Sequence, residues 1–207
     1  MEQVLDTYER PYDPQRPVIC FDERPCQLLG EVLMPLPMKP GRVARQDYHY
    51  VRQGMCVVLM AVEPLAGYRM VKITKQKTKQ DYAEFMQDLA AQYPDATKIV
   101  LVQDNLNTHN PSSFYERFAA PEAFALSQRF EMVYTPKKAS WLNMAEIELS
   151  ALSKQCLDRR IDHMGALAKE VLTWSANRNR LQIKITWHFT KSNAREKLNK
   201  AYNTIKY

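Results

Sequence analysis

The apolar run Ile99-Val100-Leu101-Val102 stops at Gln103-Asp104 and gives way to the polar Asn105, Asn107, Thr108 and His109. A short continuous run of β-branched and leucine residues predicts a strand buried on both faces. Asp104 then stands where a buried strand emerges, the usual place for a ligand crevice in an α/β sheet. Val18-Ile19-Cys20-Phe21 repeats the arrangement and ends in Asp22-Glu23. Residues 54–63 read as a core strand and residues 67–74 as its hairpin partner, with Pro64-Leu65-Ala66-Gly67 as the turn. Tyr82, Phe85, Met86, Leu89 and Tyr93 recur at helical spacing until Pro94. Strand, helix and strand together predict a βαβ crossover. Residues 111–118 and 122–129 read as helices and residues 130–134 as an alternating strand. A long helix opens at Trp141 with the stripe Leu142, Ala145, Leu149, Leu152 and Cys156, and a further helix covers residues 164–176. The fold class is α/β, with a mixed five-stranded sheet flanked by helices.

Two segments lack this periodicity. Residues 1–17 have a short helix-compatible start and then Pro11, Pro14 and Pro17, which reads as a linker. Residues 24–53 are broken by Pro25, Pro35, Pro37, Pro40 and Gly41, and Arg42, Arg45 and Arg52 lie among Tyr48, His49 and Tyr50. This predicts an extended arm with short strands at most, suited to DNA or a partner subunit as well as to an ordinary loop. With 207 residues the chain has room for one substantial core. The expected division is a linker at 1–17, a catalytic body at 18–176 with the arm 24–53 inserted, and a basic tail at 177–207.

Composition narrows the classes. Hydrophobic residues make up 45% and charged residues 25%, an ordinary globular balance. No apolar run approaches the roughly 18 residues of a membrane span, and the N-terminus lacks a signal-peptide pattern, so the expected location is cytoplasmic, alongside the nucleoid. Cys20, Cys26, Cys56 and Cys156 show no CxxC spacing and do not pair with the histidines at zinc-ligand distances. They read as reduced thiols. The net charge is +6, and residues 177–207 alone hold eight bases against the single acid Glu196. Lys72, Lys75, Lys77 and Lys79 form a second basic cluster. Such stretches suit a polyanion, although a solvated surface explains charge alone equally well.

If the first and fourth strands are neighbours, Asp22 and Asp104 lie side by side. A third carboxylate comes from the late helix, where Glu146 and Glu148 flank the apolar stripe on opposite sides and spacing does not choose between them. Three carboxylates without His or Cys make a hard-oxygen site for Mg²⁺ or Mn²⁺, and without a cation they would repel one another. Two such ions about 3.5–4 Å apart serve in-line displacement at phosphorus. The single-residue alternative is that Asp104 caps the following helix. Taken together, the pieces favour a nuclease or strand-transferase.

Cys20-Phe21-Asp22-Glu23, Val102-Gln103-Asp104-Asn105-Leu106-Asn107-Thr108-His109, and Tyr134-Thr135-Pro136 through Ser140-Trp141-Leu142-Asn143-Met144-Ala145-Glu146 occur in that order. In this the chain resembles the DDE transposases of the insertion-sequence six-thirty family, relatives of the mariner superfamily. The resemblance runs from about Asp13 to the C-terminus. It implies a ribonuclease-H-like fold and a two-metal site of Asp22, Asp104 and Glu146, since the Trp-Leu-Asn-x-x-Glu motif ends at Glu146. Asn105, His109, Trp141 and Asn143 match positions beside that site, where they position DNA or brace the ligands.

The partners so implied are double-stranded DNA, both transposon ends and a target cut at TA, and a second subunit held through residues 24–53. Arg42, Arg45, Lys137, Lys138, Arg178 and Arg180 are the bases expected on the DNA. The helix-turn-helix region that such transposases carry ahead of the catalytic domain is expected to be missing. The interval of forty-one residues between Asp104 and Glu146 is longer than in mariner relatives, and residues 121–129 are expected to take up the excess as an added helix. Two other readings stay open: an inactive DNA-binding remnant, and a nuclease of the same fold that cleaves without joining.

Overall fold

The computed structural model describes residues 1–45, 47–137 and 139–199. Five strands, β1 (Val18–Glu31), β2 (Tyr50–Glu63), β3 (Tyr68–Thr74), β4 (Ile99–Gln103) and β5 (Phe130–Tyr134), form one sheet in the order β3-β2-β1-β4-β5. β1 pairs antiparallel with β2 and parallel with β4, and β5 continues the parallel side. The helix α2 (Lys79–Gln92) carries the chain from β3 at one edge over β2 and β1 to β4, so the crossover joins strands that are not neighbours. Its start is fixed by a capping box in which Thr78 and Asp81 each bond the other's backbone N–H, a device that contributes about 1 kcal/mol.

The pleat divides the core. Ile19, Phe21, Ile99 and Leu101 face α2, α3 (Ser112–Arg117) and α4 (Ala120–Gln128), where Tyr82, Phe85, Met86, Phe114 and Leu126 are buried. Cys20, Val100 and Val102 face the opposite way, onto α1 (Glu2–Tyr8) and α5 (Ala145–Gln155). Further along β2, Val58 and Met60 pack with Leu149 and Leu152 of α5 and with Leu167 and Val171 of α6 (Met164–Arg180). Each fully buried side chain of this size stabilises the fold by about 1.5–3 kcal/mol. The helix α4 falls where an added helix was expected between Asp104 and Glu146.

Four expectations are corrected. Residues 1–17 are not simply a linker: α1 docks on the sheet through fully buried Val4 and Leu5, because the prolines begin only at Pro11. β1 does not stop at Asp22 but runs on to Glu31, paired with β2 along its length. β4 pairs with β1 only as far as Cys20. Beyond it β1 is an edge, where Pro25 removes no ladder bond on that side. The arm is therefore the outer part of a long two-stranded ribbon, with bridges Leu36–Arg45 and Lys39–Arg42 near its tip. The late helix begins at Ala145, after a 3₁₀ turn at Ser140–Leu142.

The described part of the tail, up to residue 199, packs back on the body. Its residues reach α7 (Lys191–Lys197), with Ile185 and Ala194 buried against the sheet's α1 side. The β2–β3 turn lies so close to this segment that a Cβ on Gly67, itself at φ +70°, would stand 2.5 Å from the backbone of Gln182. Only glycine fits there. Among the described residues no helix is long and apolar enough to cross a membrane.

Candidate active site

The last parallel rung between β1 and β4 joins Cys20 to Val102. Two residues further on, each strand leads to an aspartate, Asp22 and Asp104, so the register directs both to the same end of the sheet. Asn143 then ties the third motif to the first. Its Nδ2 donates to the Phe21 carbonyl at 2.7 Å and to Asp22 Oδ2 at 3.4 Å, and its Oδ1 accepts from Ala145 N at 3.1 Å. One buried amide thus braces Asp22 and starts α5, whose second residue is Glu146. Tyr8 of α1 supports the same turn by donating to the Leu142 carbonyl at 2.8 Å. Nothing in the sequence pattern pointed to Tyr8, because its partner is far along the chain.

Glu146 and Glu148 have different surroundings. Glu146 is exposed on the first turn of α5. Glu148 is fully buried between Arg69 Nε at 2.9 Å and Arg178, whose Nε and Nη2 lie 2.5 and 3.0 Å from its two oxygens. Arg69 is itself inaccessible, and its Nη1 and Nη2 donate to the carbonyls of Gly67 and Ile183. Burial pulls its pKa below the ordinary arginine value and Glu148 opposes that pull. Glu148 is thus already neutralised, and Glu146 is the carboxylate of the pair open to a ligand.

Burial pushes Asp22 up to about 7, helped by the negative charges of Glu146, Glu23 and Asp104 and opposed by the bond from Glu23 N. The charges weighing on it are all carboxylates. Among the described residues, no three His, Cys, Asp or Glu side chains stand close enough to enclose a metal ion as they are. The donor set nevertheless fits a hard divalent cation: oxygen ligands only, with the half-buried carboxyl of Asp22 raised by burial and by neighbouring acids.

Asp104 differs from Asp22 because it has a cationic neighbour. His109 Nδ1 bonds Asp104 Oδ1, and His109 Nε2 lies 3.1 Å from Glu23 Oε2. With both ring nitrogens facing carboxylates, the imidazole is held protonated. Its pKa rises to about 9 even though burial works the other way, and Asp104 and Glu23 are both lowered by its charge. Of the other residues matched beside the site, Asn105 is exposed and Trp141 is half exposed, edge-on to Phe189 at 5.4 Å.

The bases expected on DNA divide. Arg42, Arg45, Lys137 and Arg180 are exposed, while Lys138 lies outside the described residues. Arg178 is corrected: its guanidinium is engaged by Glu148 and stacked over Trp174, which leaves little of it for a phosphate. Acids also engage much of both basic clusters. Lys72 meets Asp88, Lys77 meets Glu23, Lys79 meets Glu116, Lys191 meets Asp6, and Arg195 meets Glu2.

No curated protein matches the chain by sequence. Among solved structures, the Mos1 mariner paired-end complex with Mn is similar over 88% of this chain and 56% of that one, at 15% identity and a TM-score of 0.57. The Mos1 transposase paired-end complex with the left transposon end is similar over 98% and 61%, at 14% identity and a TM-score of 0.60. The catalytic domain of Mos1 mariner transposase is similar over 87% and 81%, at 12% identity and a TM-score of 0.57. The chain therefore spans less than two thirds of the length of the Mos1 chains in the first two structures. At these identities the likeness is one of fold, the ribonuclease-H-like fold of a transposase catalytic domain. The DDE superfamily endonuclease family matches residues 17–168, from the start of β1 into α6 and across all three carboxylate motifs, and the chain belongs to that family.

Proposed function

We propose that the chain is the catalytic domain of a DNA transposase of the insertion-sequence six-thirty kind, acting on phosphodiesters at the ends of a mobile element. Asp22, Asp104 and Glu146 are the residues that would hold two Mg²⁺ or Mn²⁺ ions. The observation that carries this reading is the placing of Asp22 and Asp104 each two residues beyond the last β1–β4 rung, with Asp22 half-buried and pushed up first by burial and then by the charges of neighbouring carboxylates, an arrangement that a cation relieves. Bound there, divalent ions supply Lewis acidity for activating a water or a 3′-hydroxyl and for stabilising the leaving oxygen. The chain's own residues do the positioning. Asn143 fixes Asp22 relative to the start of α5, and His109 holds Asp104. The exposed Arg42, Arg45, Lys137 and Arg180 suit the phosphate backbone.

In this reading hydrolysis at the element end frees a 3′-hydroxyl, which then joins to target DNA at TA. The test is a joining assay with duplexes that end in the inverted repeats flanking the coding sequence, already cut at the 3′ strand. Joined product at TA sites, dependent on Mg²⁺ or Mn²⁺, is the expected result. Cleavage of uncut ends without joining of pre-cut ones would instead identify a nuclease, and neither reaction together with retained DNA binding would identify an inactive remnant.

A homodimer through residues 24–53 belongs to the same proposal. The ribbon tip exposes Met34 (88%), Met38 (76%) and Val43 (76%) in one short segment, apolar side chains available to a second subunit. The ribbon's base is pinned by Arg160, which bonds Glu31 at 2.6 Å and the His49 and Tyr48 carbonyls at 2.9 and 3.1 Å. A rigid base makes the tip's direction reproducible. In light scattering with end DNA the parent chain is expected to run as a dimer, and Met34→Asp combined with Met38→Asp as a monomer. A parent that is monomeric with and without DNA removes dimerisation from the proposal.

A further inference from the structure

We propose that Glu23 is a positioning residue for the site: it orients His109 so that His109 holds the carboxylate of Asp104 in a single rotamer. The inference rests on the reading of Asp104 as a metal-binding carboxylate. Glu23 follows Asp22 on β1 and, by the pleat, its side chain lies on the opposite face of the sheet. There only 4% of it is exposed. A carboxylate so buried is costly unless paired, and its partners are His109 Nε2 at 3.1 Å and, from the solvent side, Lys77 Nζ at 3.2 Å.

The ring between the two acids cannot easily turn. Phe21 meets it edge-on at 5.2 Å and Tyr82 stacks on it at 5.1 Å. The His109 carbonyl accepts from Gln103 Nε2 at 2.9 Å, and Gln103 in turn accepts from Tyr82 OH at 2.9 Å. Asp104, by contrast, sits at the end of a strand with its side chain 35% exposed. Its other hydrogen bond, from Leu106 N at 3.3 Å, goes to the same oxygen that His109 holds, Oδ1. Oδ1 is therefore engaged twice, and Oδ2 is left for a ligand. A chain of charged contacts runs from Lys77 through Glu23 and His109 to Asp104, linking β1 to the loop after β4. Removing Glu23 takes away the carboxylate that faces Nε2 at 3.1 Å inside an aromatic niche, and the ring loses the charge contact that opposes the pull of Asp104.

A bond that merely stabilises the fold would change the melting transition and nothing else. The deciding measurements are therefore the rotamer of Asp104 and the affinity for Mn²⁺. In metal-free full-length chain with ¹³C-labelled aspartate, three-bond couplings of Asp104 should report one rotamer in the parent and an averaged side chain in Glu23→Met. Glu23→Gln, which keeps the side chain's shape and a polar oxygen opposite Nε2, should keep the single rotamer. In calorimetric titration Mn²⁺ affinity should fall roughly 10–100-fold in Glu23→Met, the usual effect of losing an outer partner of a ligand, and largely recover in Glu23→Gln. If Glu23→Met does not fold, Glu23→Ala replaces it. A single Asp104 rotamer in the folded apolar variant overturns the proposal, as does Mn²⁺ affinity equal to the parent's. If the parent itself takes up no Mn²⁺, the metal reading of the site falls, and the couplings still decide the role of Glu23.

Discussion

Asp104→Asn is expected to lower Mg²⁺-dependent cleavage of end DNA by at least about a thousandfold, or roughly 4 kcal/mol of barrier, with little change in DNA affinity. The substitution keeps the shape of the side chain and an oxygen that can face His109 Nδ1. It removes the negative charge that a hard cation needs from its ligand. Folding should survive, because Asp104 is half exposed and carries no part of either core face. The measurements are a cleavage time course and a binding isotherm on the same duplex, at one stated salt concentration because phosphate contacts make affinity salt-dependent. Cleavage at the parental rate would remove Asp104, and with it the paired-aspartate site, from the proposed function.

Glu146 and Glu148 should respond to alanine in opposite ways. Glu148→Ala leaves Arg69, inaccessible to solvent, without the carboxylate that neutralises it, and frees Arg178 from the link between α5 and α6. Removing one partner of a buried ionic cluster costs about 3–5 kcal/mol, which in a chain of this size lowers the melting temperature by on the order of 10 °C. Glu146→Ala touches an exposed side chain and should leave the melting transition within about 1 °C while abolishing cleavage. Circular dichroism melts and cleavage assays on the two variants are sufficient. A Glu148→Ala protein as stable as the parent would mean that the ion triad does not hold α5 in place.

Much of the architecture was legible because it rests on local pattern. The unbroken run at Ile99–Val102 and the helical stripe of Tyr82, Phe85, Met86 and Leu89 became β4 and the buried face of α2. Burial against a sheet selects residues at the period of the element that carries them, so periodicity can be read without knowing the partner. The ribbon was not legible in the same way. Prolines and exposed apolar residues between Arg24 and Gln53 hid the strand pairing, which is set by register with a segment some thirty residues away and by the edge that opens where β4 ends. The tail's positive charge was equally visible, but its partners on α1 and α5 were not. A residue's charge is local, whereas the cancellation of that charge is a matter of distance in space.

The three carboxylate motifs were read from the chain alone, since each is a short word at the end or start of an element. Three things were decided only by the tertiary structure. Parallel pairing of β1 with β4 directs Asp22 and Asp104 to the same end of the sheet. The buried Arg69 and the partly buried Arg178 claim Glu148 and leave Glu146 exposed. The folding of the loop after β4 over Tyr82 lets His109 reach Glu23 as well as Asp104. Sequence determines which groups are available and which face of its own element each one takes. Which of them lie within bonding distance of one another depends on contacts between distant segments, and that is where the electrostatics of this site are set.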